Sequence, residues 1–193
     1  MTNLDRKPTV LHLTDYGAPY AGNFIASLSA LEQLLSDRSR KTVYVLPPRA
    51  SERAWTQEFS LSHDVRILET GGFFSYYRQV RMLLKQTSAT LLHEHFIHFD
   101  QKLAAWLASK TCGHRVRTVL HLHNHIILPR NPLLRLPHKL YFRSVSRFVC
   151  CSESVAAHLI ADGISKERVR VAENAIAFER LDHYDTSVRA SLP

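Results

Sequence analysis

Apolar residues along the chain fall into short continuous runs, separated by longer stretches in which they recur every three or four positions. Thr9-Val10-Leu11-His12-Leu13 predicts a first strand, and Phe24, Leu28, Leu31 and Leu35 mark one face of a helix from about Asn23 to Leu35. Thr42 to Leu46 predicts a second strand closed by Pro47-Pro48, and Val65 to Leu68 a third. Gly71-Gly72 then break the chain before a helix over Tyr76 to Lys85. The rhythm repeats with a strand over Ala89 to His93, a helix over Gln101 to Lys110 and a strand over Arg117 to Leu122. A proline-punctuated loop from Pro129 to Pro137 and a short helix come next. Phe148 to Cys151 reads as a strand, Ser154 to Asp162 as a helix closed by Gly163, and Val169 to Ala172 as a last strand.

Strands that are nearly all apolar and alternate with helices predict an α/β fold: a Rossmann-like parallel sheet with helices on both faces. Such sheets bind ligands outside the carboxyl ends of their strands. Function is therefore expected in the loops after Leu13, His93, Leu122, Cys151 and Ala172. The pattern fades after Asn174, so residues 1–174 read as one domain and residues 175–193 as a linker.

The 193 residues suffice for one sizeable domain. Lys plus Arg number 25 against 17 Asp plus Glu, a net charge of +8 that favours a phosphate ester, a nucleic acid or an anionic membrane surface. The aromatic residues do not interleave with a basic stripe as nucleic-acid modules require, so nucleic acid is ranked last. No apolar run approaches the roughly 18 residues that span a bilayer. With no signal-peptide core after the polar Met1 to Lys7, cytoplasmic residence is the expectation. Cys112, Cys150 and Cys151 make no disulfide framework, and Cys150 and Cys151, in the apolar run from Phe148, read as small buried hydrophobes.

Histidine is the anomaly, with 12 in the chain. His93, His95 and His98 cluster at one strand end, and His121, His123 and His125 at the next. Residues two apart in a strand share a face, so His93 with His95, and the second trio, can each point one way. A zinc site is geometrically open to them, but neither cluster offers a Cys partner or a helical HExxH arrangement. Plain core or surface roles remain, and the reading favoured over both is hydrogen bonding by neutral imidazole in a cleft. Gly22 lies where a helix begins, so backbone N–H groups there can face a phosphate or carboxylate. Between Arg130 and Arg147, the basic Arg135, Lys139 and Arg143 interleave with Leu133, Leu134, Leu136, Leu140, Tyr141 and Phe142, a composition drawn to anionic lipid.

These segments together resemble a known family. Ser152-Glu153-Ser154-Val155, Gly163-Ile164, Arg168 to Val171 and Asn174-Ala175-Ile176 resemble the run that closes the N-terminal domain of glycosyltransferase family 4. Val119 to Asn124 is similar to that family's strand ending in Thr-x-His-Asp or His-Asn, and Leu92 to Phe96 to its His-x-His-Phe strand end. Gly22-Asn23-Phe24-Ile25 resembles its glycine-started first helix. The resemblance implies the N-terminal half of a GT-B fold, in which this half shapes the acceptor site and a second domain holds the nucleotide sugar. It further implies retaining sugar transfer without a protein-bound metal ion, and no cofactor.

On that resemblance His123 is the expected catalytic-cleft residue. Gly22, Asn23, His95, Asn124, Glu153 and Asn174 are the expected substrate-binding residues, and Arg135, Lys139 and Arg143 the expected membrane contacts. The expected partners are a nucleotide-sugar donor held mainly by a second domain, a glycan or lipid-linked acceptor of polysaccharide biosynthesis, and an anionic membrane face. Asn174-Ala175 replaces the family's Asn-Gly, and Ala21-Gly22 its glycine pair. The donor-gripping motifs of the second domain do not occur in these residues, so an isolated chain is expected to be inactive. The other reading is a non-enzymatic subunit docking a separate catalytic glycosyltransferase.

Overall fold

A computed structural model describes residues 8–37, 40–125 and 132–173. Seven strands form one sheet: β1 (Thr9–Thr14), β2 (Lys41–Leu46), β3 (Val65–Ile67), β4 (Ala89–His95), β5 (Arg117–Leu122), β6 (Arg147–Cys150) and β7 (Val169–Val171). All neighbouring pairs are parallel, in the order β3-β2-β1-β4-β5-β6-β7. Six helices connect them: α1 (Gly22–Asp37), α2 (Ala54–Ser62), α3 (Phe73–Thr87), α4 (Phe99–Thr111), α5 (Pro132–Ser144) and α6 (Glu153–Ala161). This is the Rossmann-like α/β sheet expected from the apolar runs. The chain runs outward from β1 to β3, then crosses to β4 on the other side of β1, so the order reverses between β1 and β4. That switch leaves a crevice at the carboxyl ends of the two central strands.

Burial on both faces explains why the strands read as continuous apolar runs. Leu11, Leu13, Val43, Val45 and Leu92 pack on one face against Val80, Leu83 and Leu84 of α3 and Ala105 and Ala108 of α4. Tyr44 and Leu46 pack on the other against Ile25 and Leu28 of α1 and Trp55 and Phe59 of α2. A third cluster joins Leu120, Leu122, Phe148 and Cys150 to Tyr141 and Phe142 of α5 and Val155 and Leu159 of α6. Cys150 is buried, as expected, whereas Cys151, one residue past the end of β6, is only half-buried; Cys112 is buried as well.

Two elements differ from the sequence expectation. Helix α2 has only two buried large apolar residues, Trp55 and Phe59, one turn apart, which is too short a pattern to reveal a period. Helix α5 starts at Pro132, inside the expected loop over 129–137, and carries Pro137 in its interior. Proline at the first helical position loses an N–H that has no partner anyway, and Pro137 forfeits only one bond. Buried Tyr141, Phe142 and Val145, anchored on the sheet, outweigh that loss. Residues 174–193, including Asn174 and the expected linker, lie outside the described residues.

Strand β4 carries opposite chemistry on its two faces. His93 and His95 point one way, while Glu94, fully buried, accepts a hydrogen bond from the Tyr141 hydroxyl on the other. Burial pushes the Glu94 carboxyl up to about 8, and the Tyr141 hydrogen bond and nearby Lys102 only partly oppose it. Removing one donor from a buried carboxyl costs its desolvation, about 1–3 kcal/mol. Tyr141→Phe is therefore expected to lower the unfolding free energy by about 1–3 kcal/mol in urea titrations at neutral pH. An unchanged midpoint would mean that the hydroxyl does not support Glu94.

Candidate functional site

The reversal of strand order sets five imidazoles side by side. Parallel register pairs His12 of β1 with His93 of β4, and His95 of β4 with His121 of β5. His123 follows two residues on, directly after β5, so all five share the face covered by α1. Ring centroids are 5.0 Å apart for His12–His93, 4.0 Å for His93–His95, 5.2 Å for His95–His121 and 4.3 Å for His121–His123. A hydrogen bond of 3.3 Å joins His12 Nδ1 and His95 Nε2.

The opposite side of β5 and β6 is sealed, with Leu120, Leu122, Phe148 and Cys150 buried, but Val119, His121, His123 and Val149 are only half-buried. A cavity of about 620 Å³ opens there, between α1 and the strand ends. Its apolar wall is Phe24, Leu28, Leu31 and Val149; its polar side is His93, His95, His121, His123, Asn23 and Asn124, with Glu173 at the edge. Phe96, next after β4, has φ of 57°, a left-handed conformation that a bulky residue seldom adopts. The turn lays its ring over His123, with centroids 3.9 Å apart and planes 17° apart, and sets Phe24 edge-on at 4.9 Å. Backbone strain of this kind is held in place by surrounding structure and clusters at ligand sites.

Burial keeps these rings neutral. It lowers His12 and His123 to about 3 and His121 to about 4, with the His121 imidazole adding to the effect on the first two. His93 and His95 lie well below the ordinary range, first through burial and then through the neighbouring rings. One ring nitrogen each of His12, His93, His95, His121 and His123 is buried without a hydrogen-bond partner among the described residues. The site thus presents neutral donors or acceptors in a low-dielectric wall, suited to hydroxyl-rich ligands.

The expected site residues divide by position. His95, His123, Asn23 and Asn124 all line the cavity. Gly22 starts α1 beside it with φ of +62°, and a Cβ there would stand 2.6 Å from the Tyr16 hydroxyl, so the turn itself requires glycine. Glu153 is exposed in the first turn of α6, where its charge complements the helix dipole, and Ser152 caps that helix by accepting from the Val155 N–H at 3.3 Å. His98 and His125 leave the cluster: His98 pairs with Asp15 at 3.3 Å and His125 packs on His158 at 4.1 Å. His12, Phe24 and Phe96 were missed as site residues. The period-two rule marks His12 only after β1 is known to lie beside β4, and although Phe24 and Phe96 stand in the family-like helix start and strand end, nothing local to either shows that the two rings meet at His123.

A Rossmann-like sheet with a polar crevice at its switch point defines a ligand-binding α/β domain. The chain belongs to Glycosyltransferase Family 4, whose family model matches residues 42–180. No curated protein sequence matches it. Among solved structures it is similar to HepE of Anabaena in complex with UDP, at 17% identity and a TM-score of 0.62, covering 89% of this chain and 45% of that one. It is similar also to UDP-GlcNAc 2-epimerase of Methanocaldococcus jannaschii, at 13% identity and a TM-score of 0.64, covering 94% and 51%. The lipopolysaccharide outer core galactosyltransferase WaaB in its apo form matches at 14% identity and a TM-score of 0.62, covering 87% and 46%. These likenesses show the fold, that of GT-B proteins, and the chain spans about half the length of each.

Acid should attack the site first. The unfolded histidines take up protons below about pH 6.5 while the folded ones resist until about 3 to 4, so stability falls as pH drops through that window. Glu94 acts in the opposite direction: protonated when folded up to about 8 but only to about 4.5 when unfolded, it loses stability as pH rises between them. Thermal melts are expected to peak near pH 6.5 and fall most steeply on the acid side. His121→Gln should shallow the acid limb and Glu94→Gln the alkaline one; limbs unchanged by either would contradict these assignments.

Proposed function

We propose that this chain is the acceptor-side domain of a retaining glycosyltransferase that moves a sugar from a nucleotide sugar to a glycan or lipid-linked acceptor in polysaccharide biosynthesis. The observation that carries this reading is the cavity at the switch point, where His95, His123, Asn23 and Asn124 converge beside Phe24 and Phe96. His123, neutral and half-exposed at a strand end, hydrogen-bonds the transferring sugar, and His95 and Asn124 orient the acceptor hydroxyl. Phe24 and Phe96 offer apolar surface to sugar rings or to an acceptor's lipid. The nucleotide is held mainly by a second domain, in keeping with relatives of GT-B fold twice this length, one of them in complex with UDP. Family membership favours transfer over the epimerisation named for some of the fold's relatives.

The same reading puts the domain against an anionic membrane face. On α5, Lys139 and Arg143 are exposed one turn apart, and Leu136 and Leu140 beside them are 57% and 45% exposed. That exposed stripe of paired leucines and basic residues suits the interface of an acidic bilayer. The side chain of Arg135 lies outside the described residues. No described helix is long and apolar enough to cross a membrane.

Three measurements test the proposal. Calorimetry of the purified chain with UDP-, GDP- and ADP-sugars should show no low-micromolar binding, and His123→Ala should cut incorporation of labelled sugar into the cell's acceptor by about 100-fold. Tight donor binding by the chain, or full incorporation by the variant, would refute the assignment. Vesicles rich in acidic lipid should sediment the chain, each basic residue near the surface contributing about 1 kcal/mol, while neutral vesicles should not. Reversing charge at Arg135, Lys139 and Arg143 together should abolish sedimentation with the fold intact; persistent sedimentation would reduce the segment to a solvated face.

A further inference from the structure

We propose that the acceptor bound by this domain is a sugar joined to a phosphate, with the sugar ring in the cavity under α1 and the phosphate held by Lys102 in a second, adjoining chamber. The inference rests on the acceptor-side reading and adds to it the chemical class of the acceptor. The second chamber, of about 290 Å³, lies between the start of α4 and the end of β5. Phe96, His121, His123 and Asn124 line both spaces, so the two share a wall and one ligand can occupy both. Their electrostatics differ. Among the described residues no lysine or arginine lines the larger cavity, and its one acidic side chain, Glu173, stands at the edge. Neutral imidazoles and amides there suit the hydroxyls of an uncharged sugar ring, whereas a phosphate would find no counter-charge. The smaller chamber has no acidic residue among the described residues that line it, and it has the Lys102 ammonium.

Lys102 is placed to meet an anion. It is half-buried, and among the described residues its side chain forms neither a hydrogen bond nor an ion pair. Burial lowers the ammonium from its ordinary range, with Glu94 opposing. Glu94 itself supplies no counter-charge near neutral pH: its carboxyl is fully buried, accepts from the Tyr141 hydroxyl and stays protonated up to about 8. Asp15, at the end of β1, does not line the chamber and is already held by Arg49 at 3.0 Å and His98 at 3.3 Å. A cation that has lost hydration without gaining a partner is a costly arrangement, which a bound anion relieves. Lysine is a compact point charge suited to tetrahedral phosphate; a carboxylate is clasped best by the planar fork of arginine, and no arginine is among the described residues that line the chamber. His125, exposed at the rim, offers a further ring nitrogen. The stacked Phe96 and His123 rings, 3.9 Å apart, stand in the shared wall, and the link between sugar and phosphate runs beside them.

Calorimetry on the purified chain with glucose, galactose, mannose and N-acetylglucosamine, each free and as its 1-phosphate, tests this. At least one 1-phosphate should bind about 10-fold or more tighter than its parent sugar, the gain expected of one hydrogen bond to a charged group. Lys102→Gln should reduce that sugar phosphate to the affinity of the free sugar. Lys110→Gln, an equal charge change at the exposed far end of the same helix, should leave it unchanged. Should Lys102→Gln fail to fold, acetic anhydride labelling read by mass spectrometry reports the same contact: the sugar phosphate should protect Lys102 and not Lys110. A hexosyl phosphate with a long alkyl chain, presented in micelles, separates two sources of the phosphate. Binding clearly tighter than the free 1-phosphate supports a phosphate on a lipid carrier, and equal binding a soluble sugar phosphate. The proposal is overturned by glucuronate binding as tightly as the best 1-phosphate, or by unchanged binding in Lys102→Gln. UDP competing more strongly than inorganic phosphate would also overturn it, by assigning the chamber to the donor. Free sugar that binds and is lost in His123→Ala, with no gain from phosphate, would sink this inference and leave the acceptor-side reading standing. No binding of any sugar or sugar phosphate would count against both.

Discussion

Neutral imidazoles packed against one another at the centre of a parallel sheet are the constraint on which this domain turns. An isolated buried histidine is tolerable when both ring nitrogens find partners, but here five rings share one face and several nitrogens find none among the described residues. Every ring is held uncharged by burial, and the neighbouring rings lower His93 and His95 further. The arrangement persists because the sheet beneath it is clamped elsewhere, by Leu11, Leu13, Val45 and Leu92 against α3 and α4. Stability drawn from the far face permits polar strain on the near one.

The same asymmetry explains where the cavity lies. Parallel strands ordinarily need helices on both faces, and β1 and β2 have them, with α1 and α2 covering one side. Over β5 and β6 the near face is left half-covered, so His121, His123 and Val149 meet solvent while Leu120, Phe148 and Cys150 are sealed by α5 and α6. The opening coincides with the carboxyl ends of the strands and with the reversal of their order, the place where this class of sheet binds ligands. Phe96, in its left-handed turn, and Phe24, at the start of α1, then frame the polar floor with aromatic edges. A wall that is apolar on one side and neutral-polar on the other suits a ligand with both characters.

Much of this was legible from residue order. The strand runs, the helical period of α1 and the glycine that closes α6 are local features, set by side-chain shape and backbone freedom within a few residues. Period two placed His93 with His95 and His121 with His123, and the resemblance directed attention to Asn23 at the start of the first helix and to Asn124 beyond a strand end. Local signals failed where packing outweighed propensity. The helix through Pro137 exists because Tyr141 and Phe142 reach the core, and α2 exists because Trp55 and Phe59 close over Tyr44.

What the sequence determined by itself was the alternation of strand and helix, the parallel sheet and the family, because hydrophobic period and short motifs are one-dimensional properties. What only the tertiary structure decided was which strands are neighbours. Nothing near His12 in the chain indicates that it will stand 5.0 Å from His93, nor does the spacing of His98 and His125 show that they turn away to Asp15 and His158. Those outcomes follow from strand order and register, which arise from burying both faces of the whole sheet at once. The joining of five histidines into one floor is therefore a property of the fold, and the residues that compose it acquire their chemistry only there.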